Sequence, residues 1–228
     1  MALLFSNTSD VVDCGAYGFL GLNPMTVCAW IYPTTTGGGT FGRIVHQTAT
    51  VDSFFCLDGT TVANGLRLGL GTSGSSGTGI SVANTIIMSA WNFVAGQWQY
   101  PTTPTIKLFK GSPTSLISEV SYNTQQNYTG STYTPTGNLK IGKRDGTDRT
   151  FVGTISHVYI FSAFLTLAEL VSIQYGIIPA HLYSDLKGFW SLWGVVSPEP
   201  DLSGKLNNGT VTGATKANGP PVGVYGPK

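Results

Sequence analysis

The stretch from Asn138 to Gly176 constrains the fold more than any other part of the chain. Leu139 to Ile141 reads as a short apolar strand end. Lys143 to Arg149 reads as a charged turn around Asp145-Gly146, where glycine supplies the positive φ that a tight turn needs. Phe151 to Phe161 carries β-branched or aromatic residues at nearly every position, which predicts a strand packed on both faces. Ile155 is out of phase with Val158 and Ile160, so a bulge is expected near Ser156 and His157. Thr166 and Glu169 then form a T-x-x-E capping box that satisfies free backbone donors at a helix start. Leu167, Leu170 and Val171 give that helix an apolar face, and Gly176 suits its end, so one short helix is expected near 166–175.

Phe151 to Phe161, read as F-x-G-x-I-x-x-V-x-I-F and followed by a leucine, the T-x-x-E-L helix start and a glycine stop, resembles the closing segment of laminin-G-like domains. These belong to the concanavalin A-like lectin and glucanase superfamily. Met25 to Pro33, MTVCAWIYP, resembles the family's early core strand. Trp91 to Ala95 with Ile106 to Gly111 resembles its central hairpin. The matches span roughly Leu3 to Tyr175 in the family's order. The resemblance implies an all-β fold, an antiparallel β-sandwich of jelly-roll type. Because the superfamily holds lectins, glycosidases, adhesion domains and virus-particle proteins, the fold alone does not fix a function.

The usual family order places an aromatic strand and a D-x-S-G-x-x-N-N-G-T loop ahead of the first core strand. Here the corresponding residues come last, as Gly188 to Trp193 and then Asp201 to Thr210. The chain therefore reads as circularly permuted, with residues around Thr210 to Ala214 expected beside the N-terminal strand. The rival reading is a separate appendage from about Ile177, but so short a piece could not bury Trp190 and Trp193 without docking on the main sheets. The expected division is one sandwich over 1–213, completed by 188–213, and an extended Pro/Gly-rich tail over 214–228.

At 228 residues the chain suits a single large β domain, and 41% hydrophobic content is enough for its core. Charged residues make up only 10%, and the net charge is +1, which gives no electrostatic case for nucleic acid or an anionic membrane. So few charges give little protection against self-association, which fits a protein working within an assembly or on a solid. Met1 to Asp10 has no basic n-region or apolar run of signal-peptide length, and no stretch is long and apolar enough for a membrane span. Cys14, Cys28 and Cys56 lack metal-type spacing. They read as three buried thiols, or as one disulfide and a spare thiol.

Binding tends to sit on loops held by a rigid sandwich. Thr34 to Thr40 and Gly69 to Gly79 are Gly/Thr/Ser-rich; Gln97 to Thr105 and Tyr122 to Pro135 carry aromatics among amides and hydroxyls. Trp98, Tyr100, Tyr122, Tyr128 and Tyr133, with Asn127, are candidate carbohydrate-binding residues, since rings cover a sugar's C–H face while amides bond its hydroxyls. The same composition also suits subunit contacts. In the closing segment, Val222, Val224 and Tyr225 are candidate assembly residues that could lie across a neighbouring subunit.

The superfamily's glucanases carry an E-x-D-x-E cluster whose carboxylates flank the scissile bond. This chain has no such cluster: Glu119, Glu169 and Glu199 lie far apart, and His46, His157 and His181 are isolated. Calcium, used by many family members, needs several oxygen ligands. Many relatives place Asp directly after the G-x-I isoleucine, but Ser156 stands there in this chain. Asp145 and Asp148 remain weak metal candidates, with Arg144 and Arg149 beside them as rival partners. Gly69 to Gly79 has no following Lys-Ser/Thr that would cradle a phosphate. The expectation is a non-catalytic structural or adhesive surface protein, a virus-particle decoration or fibre component at a virion or extracellular surface. Its expected partners are itself, a capsid or surface protein, and glycans. The alternative is a lectin-like carbohydrate-binding module with or without calcium.

Overall fold

A computed structural model of the protein describes residues 1–48, 52–71, 77–101, 105–127, 135–146, 148–194 and 197–221. Two antiparallel sheets face each other across the main core. The first runs in the order β10 (Ser115–Glu119), β9 (Ile106–Ser112), β8 (Asn92–Trp98), β3 (Met25–Pro33), β13 (Gly153–Phe161), β1 (Ala2–Phe5) and β16 (Thr215–Ala217), and β14 (Leu186–Trp190) also pairs with β13. The second runs β11 (Tyr122–Gln125), β7 (Gly77–Ser81), β6 (Gly65–Leu70), β5 (Ser53–Asp58), β4 (Arg43–Gln47), β12 (Leu139–Ile141), β2 (Val11–Asp13) and β15 (Thr210–Thr212). Val27, Ala29, Ile31, Ile155, Val158 and Ile160 of the first sheet meet Val45, Phe55, Leu57, Leu66, Leu68 and Ile141 of the second. The alternation of strand side chains puts every second residue of these runs inside.

β13 is buried along its whole length, as its run of β-branched and aromatic residues predicts. Its pairing with β3 shifts register between Ser156 and Tyr159, and His157 has φ 50°. That bulge changes the phase between Ile155 and Val158, so both reach the same core. It also divides one edge of the strand. Gly153 to Ile155 pair with β1, whereas Val158 to Phe161 pair with β14.

The C-terminal segment belongs to the sandwich. Trp190 is fully buried, meets Phe19 edge-on at 5.9 Å and donates from Nε1 to the Asn207 carbonyl at 2.8 Å. Asp201 organises the following loop: its carboxylate accepts from the backbone N–H groups of Phe189, Ser203 and Asn207 and from the Ser203 hydroxyl. The chain then returns to the N-terminal strands, with β15 against β2 and β16 against β1. The sheet therefore extends past residue 213 into the segment expected to be tail. Thr215-Lys216-Ala217 has no apolar alternation, because an edge strand needs only its backbone partner. Val222, Val224 and Tyr225 lie outside the described residues. The three cysteines are buried free thiols.

Helix α1 (Leu167–Gln174) starts at the expected capping box: Thr166 Oγ1 accepts from the Glu169 N–H, and the Glu169 carboxylate accepts from the Thr166 N–H at 2.6 Å. Gly176, at φ 76°, closes it. Leu170 and Ile173 bury against Trp30, Phe93, Phe109 and Tyr159 on the outer face of the first sheet.

Two outcomes test these constraints. Asp201→Ala leaves three backbone donors without their acceptor, and unmet buried groups of this kind cost ~1–3 kcal/mol each. A melting point lowered by roughly 5–10 °C is expected, read by circular dichroism. Burial, helped by the nearby amino terminus, pushes His157 down to about 4, whereas the unfolded chain protonates near the ordinary value of 6.5. The folded protein therefore loses stability as pH falls from 6.5 towards 4, by ~3 kcal/mol. His157→Asn, which tolerates the positive φ, flattens that acid limb in melts taken across pH.

Candidate functional site

The outer face of the first sheet is closed by α1 and the segments around it. Gln174 locks the helix down by donating to the carbonyls of Ser112 and Ser115 and accepting from the Ile117 N–H at 2.7 Å. The Trp30 indole donates to the Gln174 carbonyl, and Gln97 donates to the Leu165 carbonyl. The outer face of the second sheet has a different make-up. Since Phe55, Leu57, Leu66, Leu68, Leu139 and Ile141 point inward, their neighbours Phe54, Cys56, Asp58, Arg67 and Lys140 point out. Strand pairing sets these in two rows: Asp13, Lys140, His46, Phe54, Gly69 and Thr78, and beside it Arg43, Cys56, Arg67 and Ile80.

Guanidinium groups and phenyl rings alternate over this face. Arg43 stands 3.6 Å from the centroid of Phe54, and Arg67 lies 5.6 Å from Phe54 and 5.5 Å from Phe41. Arg149 lies 5.2 Å from the far side of the series, at Phe41. Contacts of this geometry gain from the electron-rich ring faces. Gly69 makes the arrangement possible: a Cβ there would fall 2.4 Å from the Phe54 ring.

The charges on this face are partly matched. Arg67 pairs with Asp58 at 3.3 Å, Arg149 with Asp148 at 3.6 Å, and Arg144 with Asp52 at 3.6 Å. Asp58 also accepts from the N–H groups of Thr60 and Thr61. Arg43, only 1% exposed, has no carboxylate partner among the described residues, and its Nε and Nη1 make no hydrogen bond. His46 is fully buried; its Nε2 faces the Asp52 carboxylate at 3.3 Å, and Nδ1 has no partner among the described residues. Burial lowers the His46 pKa, against the pull of Asp52, so the imidazole is neutral at pH 7. Burial raises the Cys56 thiol, with Arg43 and Arg67 opposing, so it stays protonated.

The residues singled out in the sequence lie elsewhere. Trp98 is not a loop residue: it ends β8, in phase with inward-facing Val94, and is fully buried in the core, where its ring cannot meet a sugar. Tyr122 begins β11 and packs on the core. Its hydroxyl donates to Glu119 at 2.9 Å and accepts from the Leu108 N–H at 2.8 Å, which removes it from a ligand's reach. Tyr100 is 38% exposed, with its backbone bracketed by Asn23. Asn127 is exposed, while Tyr128 and Tyr133 lie outside the described residues. Of the described carbohydrate candidates, only Tyr100 and Asn127 are exposed. Arg43, His46, Phe54 and Arg67 were missed, although a polar residue at every second position among leucines, as in Gly65 to Leu70, marks an outward face.

The calcium candidates do not fit an ion. Asp145 is held by Lys140 and Thr48, whose hydrogen bonds take its carboxyl below the usual range despite the opposing effect of burial. Asp148 stands within 4.0 Å of Arg144 and 3.6 Å of Arg149. No group of three or more His, Cys, Asp or Glu suited to a metal occurs among the described residues.

Two sheets in this order, one closed outside by a helix and the other bearing polar and aromatic side chains on its outer face, define a lectin-like sandwich. A sequence model described as the concanavalin A-like lectin/glucanases superfamily (Laminin_G_3) matches residues 6–171, and the chain belongs to this family. A search of curated proteins found no match. Among solved structures, a Bacteroides ovatus protein named as a candidate carbohydrate binding protein aligns with TM-score 0.65 and 18% identity, covering 98% of this chain and 61% of that one. Tailspike protein 2 of an Escherichia coli bacteriophage aligns with TM-score 0.56 and 14% identity over 84% of this chain and 26% of its own. A structure of the enzymatically active domain of a bacteriophage tailspike protein 2 gives TM-score 0.53 and 16% identity, over 83% of this chain and 28% of that one. The chain thus spans less than two thirds of each of these proteins. At such identities the likeness is one of fold.

Gly69→Ala tests the packing of the face. Its methyl would force the Phe54 ring off its seat, so a loss of ~1–3 kcal/mol is expected in a urea melt. An unchanged midpoint would mean that the ring has no fixed place there.

Proposed function

We propose that this domain is a non-catalytic carbohydrate-binding module of an adhesive surface protein, and that it takes its ligand on the outer face of the second sheet. The observation that carries the reading is the pairing of Phe41 and Phe54 with Arg43 and Arg67, whose guanidinium groups keep nitrogens without a hydrogen bond among the described residues. Rings and polar groups in alternation match a sugar, which offers a C–H face and a rim of hydroxyls. The carboxylates at this face are poorly placed for hydrolysis. Asp58 is bound by Arg67 and two backbone donors, and Asp52 lies between His46 and Arg144, whereas a glycosidase needs a protonated carboxyl facing a second carboxylate.

A second reading, a component of a virus particle or fibre, is favoured by the fold shared with tailspike protein 2. Exposed Leu167, Tyr175, Ile177 and Tyr183 on the helical side would then contact another subunit or a shell protein. The two readings are compatible, since a glycan-binding domain of this kind works on the outside of a particle or cell.

Affinity electrophoresis through gels containing plant, bacterial and animal polysaccharides tests the main reading. Retardation by at least one polymer is expected, with no shortening of that polymer on prolonged incubation. Phe41→Ala should weaken the retardation about tenfold, since a ring contact is worth ~1–3 kcal/mol. Unretarded migration in every gel would overturn the reading.

A further inference from the structure

Among the described residues, four buried nitrogens on one face have no partner: Nε and Nη1 of Arg43, Nε of Arg67 and Nδ1 of His46, whereas His46 Nε2 faces Asp52 at 3.3 Å. Leaving a buried polar group unmet is costly, so native proteins rarely gather several in one place. All three arginine nitrogens are donors, and neutral His46 offers one donor and one acceptor. What the face lacks is therefore mainly an acceptor. Two features point to an acceptor that carries charge. Arg43 is a guanidinium with no carboxylate partner among the described residues, whereas Arg67, Arg144 and Arg149 each have one. Register places Arg43 and Arg67 on either side of Cys56, so the two guanidinium groups converge on one patch of the sheet.

We infer that the face recognises an acidic sugar, whose carboxylate binds between Arg43 and Arg67 while a neighbouring hydroxyl bonds His46. This deepens the carbohydrate-binding reading and rests on it. A carboxylate is planar and accepts several hydrogen bonds, which suits guanidinium donors better than a neutral hydroxyl does. The Phe54 ring lies against Arg43 and is half-buried, so the incoming sugar meets the ring first. The ring gives up its contact with the guanidinium and turns to the C–H face of the sugar. Asp52, held by Arg144 and facing His46, repels a second negative charge and limits the site to one acidic group.

Titration calorimetry on the intact chain tests this, using oligogalacturonate, a hyaluronan oligomer and a sialylated oligosaccharide, each beside its methyl ester, with neutral galactan and dextran sulfate as further arms. At least one acid should bind more than about tenfold tighter than its ester, with affinity falling as salt is raised. Arg67→Gln, at a partly exposed position, should remove most of that preference. Arg43→Gln should do the same, with its melting curve showing whether the buried position still folds. Equal binding of acid and ester, or binding of galactan alone, overturns the acidic-sugar assignment and leaves carbohydrate binding standing. Tighter binding to dextran sulfate than to any carboxylated glycan overturns carboxylate recognition in favour of charge density. Failure of every glycan, neutral ones included, overturns this inference together with the reading beneath it.

Discussion

The sandwich depends on the bulge at Ser156 and His157 in β13. A regular strand offers one partner along each edge, and a strand of this length would normally be fully occupied by β3 and β1. The register shift ends the β1 pairing at Ile155 and starts a second pairing, with β14, at Val158. One edge thus serves both the first strand of the chain and a segment close to its end. The left-handed backbone at His157 holds that change in place. The Ser156 hydroxyl donates to the Met1 carbonyl and lies 2.6 Å from the His157 ring, so the irregular point is itself hydrogen-bonded. Without it, Trp190 would lose its strand, and the loop organised by Asp201 would have no wall to close against.

Much of this was legible in the sequence because it is written in local rules. The phase slip between Ile155 and Val158 is visible in five residues, and the Thr166–Glu169 box in four. The return of the C-terminal segment to the N-terminal strands follows from Trp190, which cannot stay in water, whereas Trp193, also expected inside, is 44% exposed because it lies past the end of β14. The candidate site was much less legible. Aromatic side chains in polar stretches suggested a ligand surface, yet Trp98 and Tyr122 are the ends of strands whose phase turns them to the core. Arg43, His46 and Arg67 come from three strands and meet only through registers that no short window contains. Their common property, donors without acceptors, belongs to the folded arrangement and to none of the residues alone.

The two outer faces explain how one sandwich combines rigidity with recognition. The first sheet closes its outer face with a helix, where the Gln174 amide and the Trp30 indole match the backbone groups brought near and Gln97 Oε1 is left without a partner among the described residues. The second sheet keeps polar and aromatic side chains on its outer face, and there the matching is incomplete. Sheet pairing fixes the backbone positions from which these side chains project, so binding has only the Phe54 ring to rearrange. Little ordering entropy is then left to be lost on binding.

The pairing of β1 with β16 and of β2 with β15 has one more consequence. A Cβ added at Gly219 would lie 2.5 Å from the Met1 nitrogen, so the two ends of the described chain touch. A backbone whose ends meet is nearly a ring, and a ring can be opened at another surface loop without changing any strand's neighbours. The order in which this chain presents its strands is thus one linear reading of a cyclic arrangement. A short peptide joining Gly219 to Met1 would let the same sandwich be read from a different starting point.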